Sequence, residues 1–492
     1  MAAHRPPDRP RGHVVTGVLG AGARGSLWLG LVNLISKGSQ VAVTLALAAF
    51  LTEDGLGTVA LVVSLVNIAQ VVQSMGVYEV LGRTARDPRV VAGTVLTASV
   101  GAAVALTAVL LLAASPLATV LGVPGAAPLV RLAALSLPFT AAGGVQLALM
   151  HRDLDFRRRL LPDAGAAVLG GVVTVVLAGT GLGPAAFVIG LLCTSVAQPL
   201  LAAVVGVRPR PGWNRDAARE AAGWIAVVGP GAVVAILLVN VDYLAIGHGW
   251  GPGVVGVYSL AFRIAWVPYI TVAIVLAAVM FPMCARLVRE GRTGDLAAVT
   301  TRFTHAILVL AGGAYVLAAL LADRVVLLGE RWAPAAPVLV LLCGYGLGVS
   351  LLQIWYQALK VAGYSRRYLA LEVGHLVVLI AAVMLSVGHG MVAVALAQAV
   401  VAWLVVLLTW WTLVRSGLAF PVLELRRMAA GVAGPALVCA GAALLAHPLI
   451  GPPDSASAAL VEGAVLAFAY AGGVLLTHRR TVRDRVWRGA VR

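Results

Sequence analysis

The chain has 492 residues, of which 61% are hydrophobic and 11% are charged, and its mean hydropathy is +0.96. These figures exclude an ordinary soluble domain, in which about a quarter of the residues are charged. The net charge of +16 is compatible with nucleic acid binding, but the basic residues form short clusters between apolar runs. That distribution is typical of orientation in a membrane, so we expect an integral membrane protein that binds no nucleic acid.

Apolar runs long enough to cross a bilayer as α-helices, which takes about 20 residues each, recur along the whole chain. We predict spans at 26–50, 56–81, 90–114, 128–150, 161–180, 184–206, 222–247, 253–282, 303–323, 334–359, 367–387, 391–414, 429–447 and 459–477. The sequence therefore predicts an all-α membrane protein with about 14 transmembrane helices. Residues 1–25 are predicted to form a disordered basic tail, and residues 478–492 a second basic tail.

The positions of Lys and Arg predict the orientation of these spans. If the N-terminus is cytoplasmic, 31 of the 36 basic residues lie in the two tails and in alternate loops on the cytoplasmic side. The opposite loops hold Arg324 and Arg331, and three cations lie within spans, namely Lys37, Arg131 and Arg263. The positive-inside rule then predicts that both termini lie in the cytoplasm. We expect the membrane to be the cell (plasma) membrane.

An internal repeat relates the two halves of the chain. Gly55-Leu-Gly57 recurs as Gly251-Pro-Gly253, and the segment 157–165 matches the segment 366–374. Each half holds six spans, so both halves start on the same side of the membrane. This predicts two six-helix lobes related by a pseudo-two-fold axis along the membrane normal, with a substrate site between them. The predicted divisions are an N-terminal lobe at 26–206, a cytoplasmic linker at 207–221, a C-terminal lobe at 222–414 and a terminal helix pair at 429–477.

Lys37 lies near the middle of the first span. A charge at the bilayer centre costs about 2.5–3.5 kcal/mol on insertion scales, so it needs a polar interior to face. Asn33, Lys37 and Gln40 follow at i, i+4 and i+7, which places them on one stripe of the helix. We expect this stripe to face a central cavity.

Arg263 lies about as deep in the eighth span as Lys37 lies in the first, roughly 15 Å at 1.5 Å per residue. Ser259 and Trp266 share its stripe, so a hydroxyl group, a cation and an aromatic ring face the same side. We expect this stripe to line the same midplane cavity as Lys37. A second interpretation stays open, in which Arg263 forms an interior ion pair with Asp242 of the seventh span.

Four polar residues within the spans are candidates for a coupling ion site or for structural ion pairs. Asp242 follows Asn240 in the seventh span, and both a proton or cation site and the pair with Arg263 are open for it. Asp163 and Glu372 occupy matching positions of the repeat near the cytoplasmic ends. For these two we favour contacts with the neighbouring arginines. No metal ion is expected at any of these positions.

Polar stripes also occur on the second and tenth spans. Gln353, Gln357 and Lys360 share one face of the tenth span, and Asn67 and Gln70 share one face of the second. Such stripes either line a cavity or join helices through hydrogen bonds, each worth about 0.6 kcal/mol on average. We favour cavity lining for both.

Four segments carry a resemblance to a known family. They are MHRDLDFRR at 150–158, GTGLGPAA at 179–186, NVDYLAIG at 240–247 and GVVGVYSLAFR at 253–263. Together with the helices around them they resemble bacterial polysaccharide exporters of the Wzx type. These exporters belong to the superfamily that also includes multidrug and toxin exporters and lipid II flippases.

The resemblance implies a flippase that turns a polyprenyl-diphosphate-linked oligosaccharide across the membrane by alternating access of two lobes, without ATP. The implied partners are that glycan lipid, membrane lipids, and the polymerase and glycosyltransferases of polysaccharide synthesis. No nucleotide-binding motif, nucleophile motif or metal-ligand cluster stands in the sequence, so we expect neither an enzyme nor a cofactor. Two alternatives stay open: an ion-coupled multidrug or cation antiporter of the same fold, and a non-transporting membrane scaffold of a glycan-synthesis complex.

Overall fold

The computed structural model describes residues 31–32, 35–84, 86–153, 155–418, 422–446 and 455–477. Within these ranges the chain is helical and has no strand. In the described residues, twelve helices are long and apolar enough to cross a membrane, and a helix pair bent by 41° brings the number to thirteen if the pair is counted as one span. This confirms an all-α, multi-pass membrane protein. The shorter apolar helix Ile35–Phe50 corresponds to the predicted first span, whose start lies outside the described residues.

The described part of the chain contains eighteen α-helices, four more than the predicted spans, because several spans are interrupted and consist of two helices. The first half contains α1 (Ile35–Phe50), α2 (Glu53–Ser74), α3 (Val77–Arg83), α4 (Pro88–Val120), α5 (Ala127–Ala134), α6 (Leu137–Arg152), α7 (Phe156–Arg159), α8 (Ala166–Gly179) and α9 (Pro184–Val204). The second half contains α10 (Arg215–Trp250), α11 (Pro252–Ala265), α12 (Ile274–Arg289), α13 (Leu296–Leu320), α14 (Ala335–Val361), α15 (Ser365–Ser386), α16 (Met391–Arg415), α17 (Val422–Ala446) and α18 (Ala456–Thr477).

Side-chain caps determine where several helices begin. The Thr52 side chain accepts a hydrogen bond from the backbone N–H of Gly55 at the start of α2. The Asn214 side chain accepts from two backbone N–H groups at the start of α10. Such caps satisfy donors that have no partner within the helix. Because of the Asn214 cap, α10 begins before the predicted start at 222, and part of the predicted linker is helical.

Two spans contain a π-helical turn. One turn, Leu160–Gly165, joins α7 to α8, and the other, Tyr269–Ala273, lies between α11 and α12. The second turn follows Arg263 and Trp266 directly, at the level of the predicted cavity. Such turns widen the helix locally and are frequent at functional sites.

The two halves meet where α2 packs on α11. A Cβ atom at Gly57 would collide with the backbone of Pro252, and one at Gly256 would collide with the backbone of Glu53. The absence of side chains therefore lets the two backbones touch, as small residues do at helix crossings in membranes. The predicted repeat, Gly55-Leu-Gly57 and Gly251-Pro-Gly253, lies at this crossing.

Other contacts join the halves on the face that the charge pattern predicts to be outside. The indole N–H of Trp332 and the guanidinium of Arg331 both donate to the carbonyl oxygen of Ala48, at 3.0 Å each. The His248 ring contacts the carbonyl oxygen of Val120 at 2.9 Å. With the crossing of α2 and α11, these contacts close the outer face.

The predicted terminal helix pair, α17 and α18, packs on α13. Arg324, just after α13, forms an ion pair of 2.6 Å with Glu462 of α18, and the two side chains are only 9% and 4% exposed. The Tyr470 hydroxyl donates to the carbonyl oxygen of Val309 at 2.8 Å. The pair is thus held to the bundle by a buried charge pair that the sequence analysis did not identify.

We expect Gly57→Ala to lower the stability of the folded protein by about 1–3 kcal/mol, because the added methyl group forces α2 and α11 apart. Thermal unfolding in detergent measures this effect. The control is Gly101→Ala in α4, where a Cβ atom meets nothing within 4 Å. Alanine stabilises a helix relative to glycine, so equal losses in both variants would contradict the close packing.

We expect Glu462→Leu to lower stability by about 3–5 kcal/mol, because it leaves the charge of Arg324 buried without its carboxylate. The control is Asp295→Asn, which removes an exposed pair with Arg292 whose side chains are 60% and 49% exposed. That change should cost less than about 1 kcal/mol. A loss in Glu462→Leu as small as in the control would show that the pair does not anchor the terminal helices.

Candidate functional site

An interior cavity of about 170 Å³ lies where α1, α2, α10 and α11 meet. Its polar and aromatic lining comes from both halves: Lys37, Gln40, Ser64, Asn67, Asn240, Tyr243, Arg263 and Trp266. No carboxylate is among the lining residues. The cavity therefore carries two positive charges without an acidic group, and it holds them inside a membrane-spanning bundle.

A second cavity of about 160 Å³ adjoins the first on the side of α8 and α9. The two cavities share Gln40, Asn67 and Arg263. Thr174 of α8 and Thr194 of α9 extend the polar lining of the second cavity. Arg263, from the second half of the chain, thus borders a space formed mostly by helices of the first half.

Each of these cavities has room for only a few water molecules, since one water occupies about 30 Å³ of liquid. Sites for small organic ligands measure about 300–1,000 Å³. An oligosaccharide does not fit in either cavity in this conformation. Binding one between the halves requires the helices around Lys37 and Arg263 to separate.

Aromatic rings form one wall beside Arg263. Trp266 stacks on Phe262 with the ring centroids 5.1 Å apart, and it lies 4.4 Å from Tyr269 and 6.3 Å from Tyr345. Rings packed in this way have little freedom to rotate, so they form a rigid wall. They also offer flat apolar faces next to polar groups.

The structure brings together five of the predicted site residues: Lys37, Gln40, Asn240, Arg263 and Trp266. Asn67, from the polar stripe of the second span, lines the same cavity. The prediction that distant spans converge here agrees with the geometry. The function of these residues stays a prediction.

Other predicted cavity residues lie elsewhere. Ser259 does not line the interior cavity, because its hydroxyl is buried and donates to the carbonyl oxygen of Gly256 at 2.9 Å. Gln353 accepts a hydrogen bond of 3.3 Å from Tyr269, and neither it nor Gln357 lines the interior cavity. Asn33 lies outside the described residues.

Asp242 is fully buried and does not pair with Arg263 in the described part of the chain, so that interpretation is wrong. Its carboxyl group instead joins a ring of three polar side chains. The Tyr258 hydroxyl lies 2.9 Å from Asp242 Oδ2 and 2.8 Å from Gln398 Oε1, and Gln398 Nε2 lies 2.9 Å from the same Oδ2. Helices α10, α11 and α16 each contribute one of the three side chains.

Counting hydrogens shows what this ring requires. Three contacts at hydrogen-bond distance need three hydrogens, of which the Tyr258 hydroxyl supplies one and the Gln398 amide one. An ionised Asp242 supplies none, which would leave two lone pairs facing each other. A protonated Asp242 supplies the third hydrogen and satisfies every contact. The count is the same for either orientation of the Gln398 amide.

Asp163 and Glu372, predicted to be equivalent, have different surroundings. Asp163 forms the expected pair with an arginine, at 2.9 Å from Arg159. Glu372 is 8% exposed and has no ion pair among the described residues, so the favoured arginine contact is wrong for it. The cation on that side is Lys360, whose ammonium group lies over the Tyr368 ring at 4.0 Å.

Sequence reasoning missed the partners of Asp242. Gln398 is the one strongly polar residue in the middle of the apolar run of α16 and is fully buried. A buried amide needs a hydrogen-bond partner, so its position alone signalled a partner on another helix. Tyr258 gave no comparable signal. In the described part of the chain, no three His, Cys, Asp or Glu side chains are grouped to hold a metal ion.

Comparison with known proteins agrees with the resemblance seen in the sequence. Residues 46–337 match the profile of a family described as polysaccharide biosynthesis protein. Succinoglycan biosynthesis transport protein ExoT of Rhizobium meliloti (strain 1021) is 27% identical over 299 residues, which are 60% of each chain. Lipopolysaccharide biosynthesis protein WzxC of Escherichia coli (strain K12) is 24% identical over 336 residues, 66% of each chain. The chain thus spans about 60–66% of the length of these relatives.

Solved structures show the same fold. The lipid II flippase MurJ in an inward closed conformation superposes with a TM-score of 0.76 at 11% identity, covering 93% of this chain and 99% of that one. An inward-facing multidrug resistance MATE family transporter of the MOP superfamily gives 0.64 at 16% identity, covering 82% and 98%. These likenesses concern the fold alone. Because the family profile matches more than half of the sequence, the chain belongs to the polysaccharide biosynthesis protein family.

Proposed function

We propose that this chain is a flippase, not an enzyme, and that it moves a polyprenyl-diphosphate-linked oligosaccharide across the cell membrane for surface polysaccharide or exopolysaccharide synthesis. One observation carries the proposal: Lys37 and Arg263 line one interior cavity that has no carboxylate in its lining. Both termini are placed in the cytoplasm on the charge pattern of the loops. The glycosyltransferases that make the glycan and the polymerase that uses it are the expected partners.

The chemistry of the cavity suits such a headgroup. A diphosphate leaves water only where cations replace its hydration, and Arg263 offers a two-pronged set of donors while Lys37 offers a point charge. Gln40, Asn67 and Asn240 supply amide groups for sugar hydroxyls, and Trp266 supplies a ring face. The relatives named for succinoglycan transport and lipopolysaccharide synthesis support the same class of cargo.

The proposed mechanism is alternating access of two lobes. The outer face is closed where α2 meets α11 and where Arg331 and Trp332 reach Ala48. Moving a headgroup outward requires these contacts to break while the opposite side closes. Hydrogen bonds exposed on opening transfer to water, so the net free energy of each is only about 0.5–1.5 kcal/mol.

The positive cavity argues against the two alternatives. An antiporter of organic cations needs an acidic or purely aromatic cavity, and the fixed charges of Lys37 and Arg263 repel such a cargo. A scaffold that moves nothing has no use for two charges in the membrane interior, where each is costly. The flippase is the function that explains why these charges are there.

Asp242 is our candidate for coupling to a proton gradient. Its hydrogen bonds with Tyr258 and Gln398 are all satisfied when the carboxyl group is protonated. The ionisable groups around it in the described part of the chain are Tyr243, Tyr258 and Tyr345. Tyr243 also lines the interior cavity beside Arg263. Loss of the proton would leave one contact of the ring without a hydrogen and weaken the hydrogen bonds that join α10, α11 and α16. Proton binding and the position of these helices are then linked.

Lys37→Gln and Arg263→Gln are each expected to slow flipping at least about tenfold, because each removes a charge-assisted contact worth about 1.5–3 kcal/mol. The measurement uses purified protein in liposomes with a fluorescent undecaprenyl-diphosphate oligosaccharide, and follows exposure of the glycan in each leaflet.

Arg131→Gln is the matched control for both variants. It removes a cation from the predicted spans, but Arg131 lies at the surface, where it donates to Ser115 at 3.2 Å. Its flipping rate should equal that of the unmodified protein. A control as slow as Arg263→Gln would contradict a special role for the cavity. Transport of an organic cation with no flipping of any glycan lipid would support the antiporter.

Asp242→Asn is expected to fold with a stability within about 1 kcal/mol of the unmodified protein, since its amide can donate to Tyr258 and, once the Gln398 amide turns over, to the Gln398 oxygen. Asp242→Leu should cost about 1–3 kcal/mol, because it leaves Tyr258 and Gln398 without their partner. If Asp242 carries the coupling proton, flipping by Asp242→Asn no longer responds to an imposed pH gradient. A gradient response equal to that of the unmodified protein would exclude Asp242 as the coupling site.

A further inference from the structure

A larger cavity opens on the face that carries the basic loops. It measures about 820 Å³ and lies between α3, α10, α12, α14 and α15. Four cations line it, Arg83, Arg289, Lys360 and Arg366, against a single carboxylate, Glu79. We call this cavity the basic vestibule. Its charge differs from that of an ordinary loop surface, where both signs alternate.

The four cations of the basic vestibule have no carboxylate within ion-pair distance among the described residues. Arginines nearby on the same face do, for example Arg286 with Glu290 at 2.6 Å. Two of the four lie over aromatic rings instead: Arg83 lies 5.1 Å from the centre of the Trp224 ring, and Lys360 lies over Tyr368. Cation–π contacts of this kind hold a charge in place without neutralising it.

The basic vestibule and the interior cavity lie on one stripe of α10. Val228, Ala232 and Ala235 line the vestibule, and Val239 and Tyr243 line the cavity that holds Lys37 and Arg263. Residues spaced by three or four positions share a helix face. From Val228 to Tyr243 the rise is about 22 Å at 1.5 Å per residue. A group that enters the vestibule therefore has a continuous helix face leading to the interior cations.

We infer that the basic vestibule is the first binding station for the diphosphate of the lipid-linked glycan, ahead of Lys37 and Arg263. The inference rests on the proposed flippase function and adds a second phosphate site to it. The vestibule, at about 820 Å³, falls within the size range of ligand pockets, about 300–1,000 Å³, whereas the interior cavity, at about 170 Å³, lies below it in this conformation. Unpaired cations beside aromatic rings suit a diphosphate joined to a sugar.

The test measures binding of farnesyl diphosphate, a soluble polyprenyl diphosphate, to the full chain in nanodiscs of uncharged phosphatidylcholine. The variant Arg83→Gln/Arg366→Gln removes two exposed cations, so folding should be unaffected, which a thermal unfolding curve checks. We expect its Kd to rise at least about tenfold. Arg83→Lys/Arg366→Lys keeps both charges and should retain most of the binding.

The control Arg86→Gln/Arg292→Gln removes the same charge from paired arginines outside the basic vestibule. Unchanged binding in the control, with loss in the vestibule variant, supports the inference. Equal loss in both, or no loss in the vestibule variant, overturns it. If the diphosphate is the recognised group, inorganic pyrophosphate competes with farnesyl diphosphate and farnesol does not. Competition by farnesol but not by pyrophosphate overturns the inference.

Measuring flipping in liposomes distinguishes a failure of this inference from a failure of the proposed function. If no glycan lipid is flipped by the unmodified protein while the vestibule variant still loses farnesyl diphosphate binding, the flippase proposal fails and a diphosphate site remains. If the vestibule variant flips glycan lipid at the unmodified rate, the flippase proposal stands and the vestibule is not its first station. Arg263→Gln should slow flipping but leave most of the farnesyl diphosphate binding intact.

Discussion

The backbone contact between α2 and α11 is the constraint on which the rest of this structure depends. Glycines at positions 57 and 256 let the two helices approach until their backbones touch. That approach closes the outer face and sets the distance between the two halves at the membrane midplane. Lys37 of α1 and Arg263 of α11 then border the same small cavity, while the opposite ends of the helices diverge around the basic vestibule. The contacts of Arg331 and Trp332 with Ala48 complete the closure of the outer face.

The basic and acidic side chains in the membrane interior lie at different sites. The cavity between the halves carries the cations Lys37 and Arg263 without an acid in its lining, and the buried acid Asp242 lies in a ring that takes a proton. Asp242 and the two cations thus occupy separate sites, although Asp242 and Arg263 lie on adjacent helices. Arg324 and Glu462, in contrast, neutralise each other and serve to attach the last two helices.

Much of this arrangement was predictable from the sequence, and the errors have a common cause. The stripe of Lys37 and Gln40 and the depth of Arg263 follow from helix periodicity and span length, and the structure brings these residues together. The glycine repeat was also visible in the sequence, and it lies at the crossing of α2 and α11. Ser259 shares the stripe of Arg263, yet its hydroxyl bonds to its own helix. The structure does not contain the ion pair of Asp242 with Arg263 that the sequence left open; Tyr258 and Gln398 contact the carboxyl group instead. Helix periodicity predicts which face of its helix a residue occupies, but it does not predict which side chain of another helix contacts that residue.

The sequence by itself determined that this is a helical membrane protein, where most of its spans lie, and which family it resembles. Those properties follow from local rules, since hydropathy, span length and loop charge act over a few residues to some tens of residues. Only the tertiary structure decided which other side chains share the cavity of Lys37 and Arg263, that Asp242 is hydrogen-bonded to Tyr258 and Gln398, and that unpaired cations of four helices form a vestibule. Those properties depend on contacts between residues that are far apart in the sequence, such as Asp242 and Gln398. Helix packing, and not any local sequence pattern, brings such residues together in space.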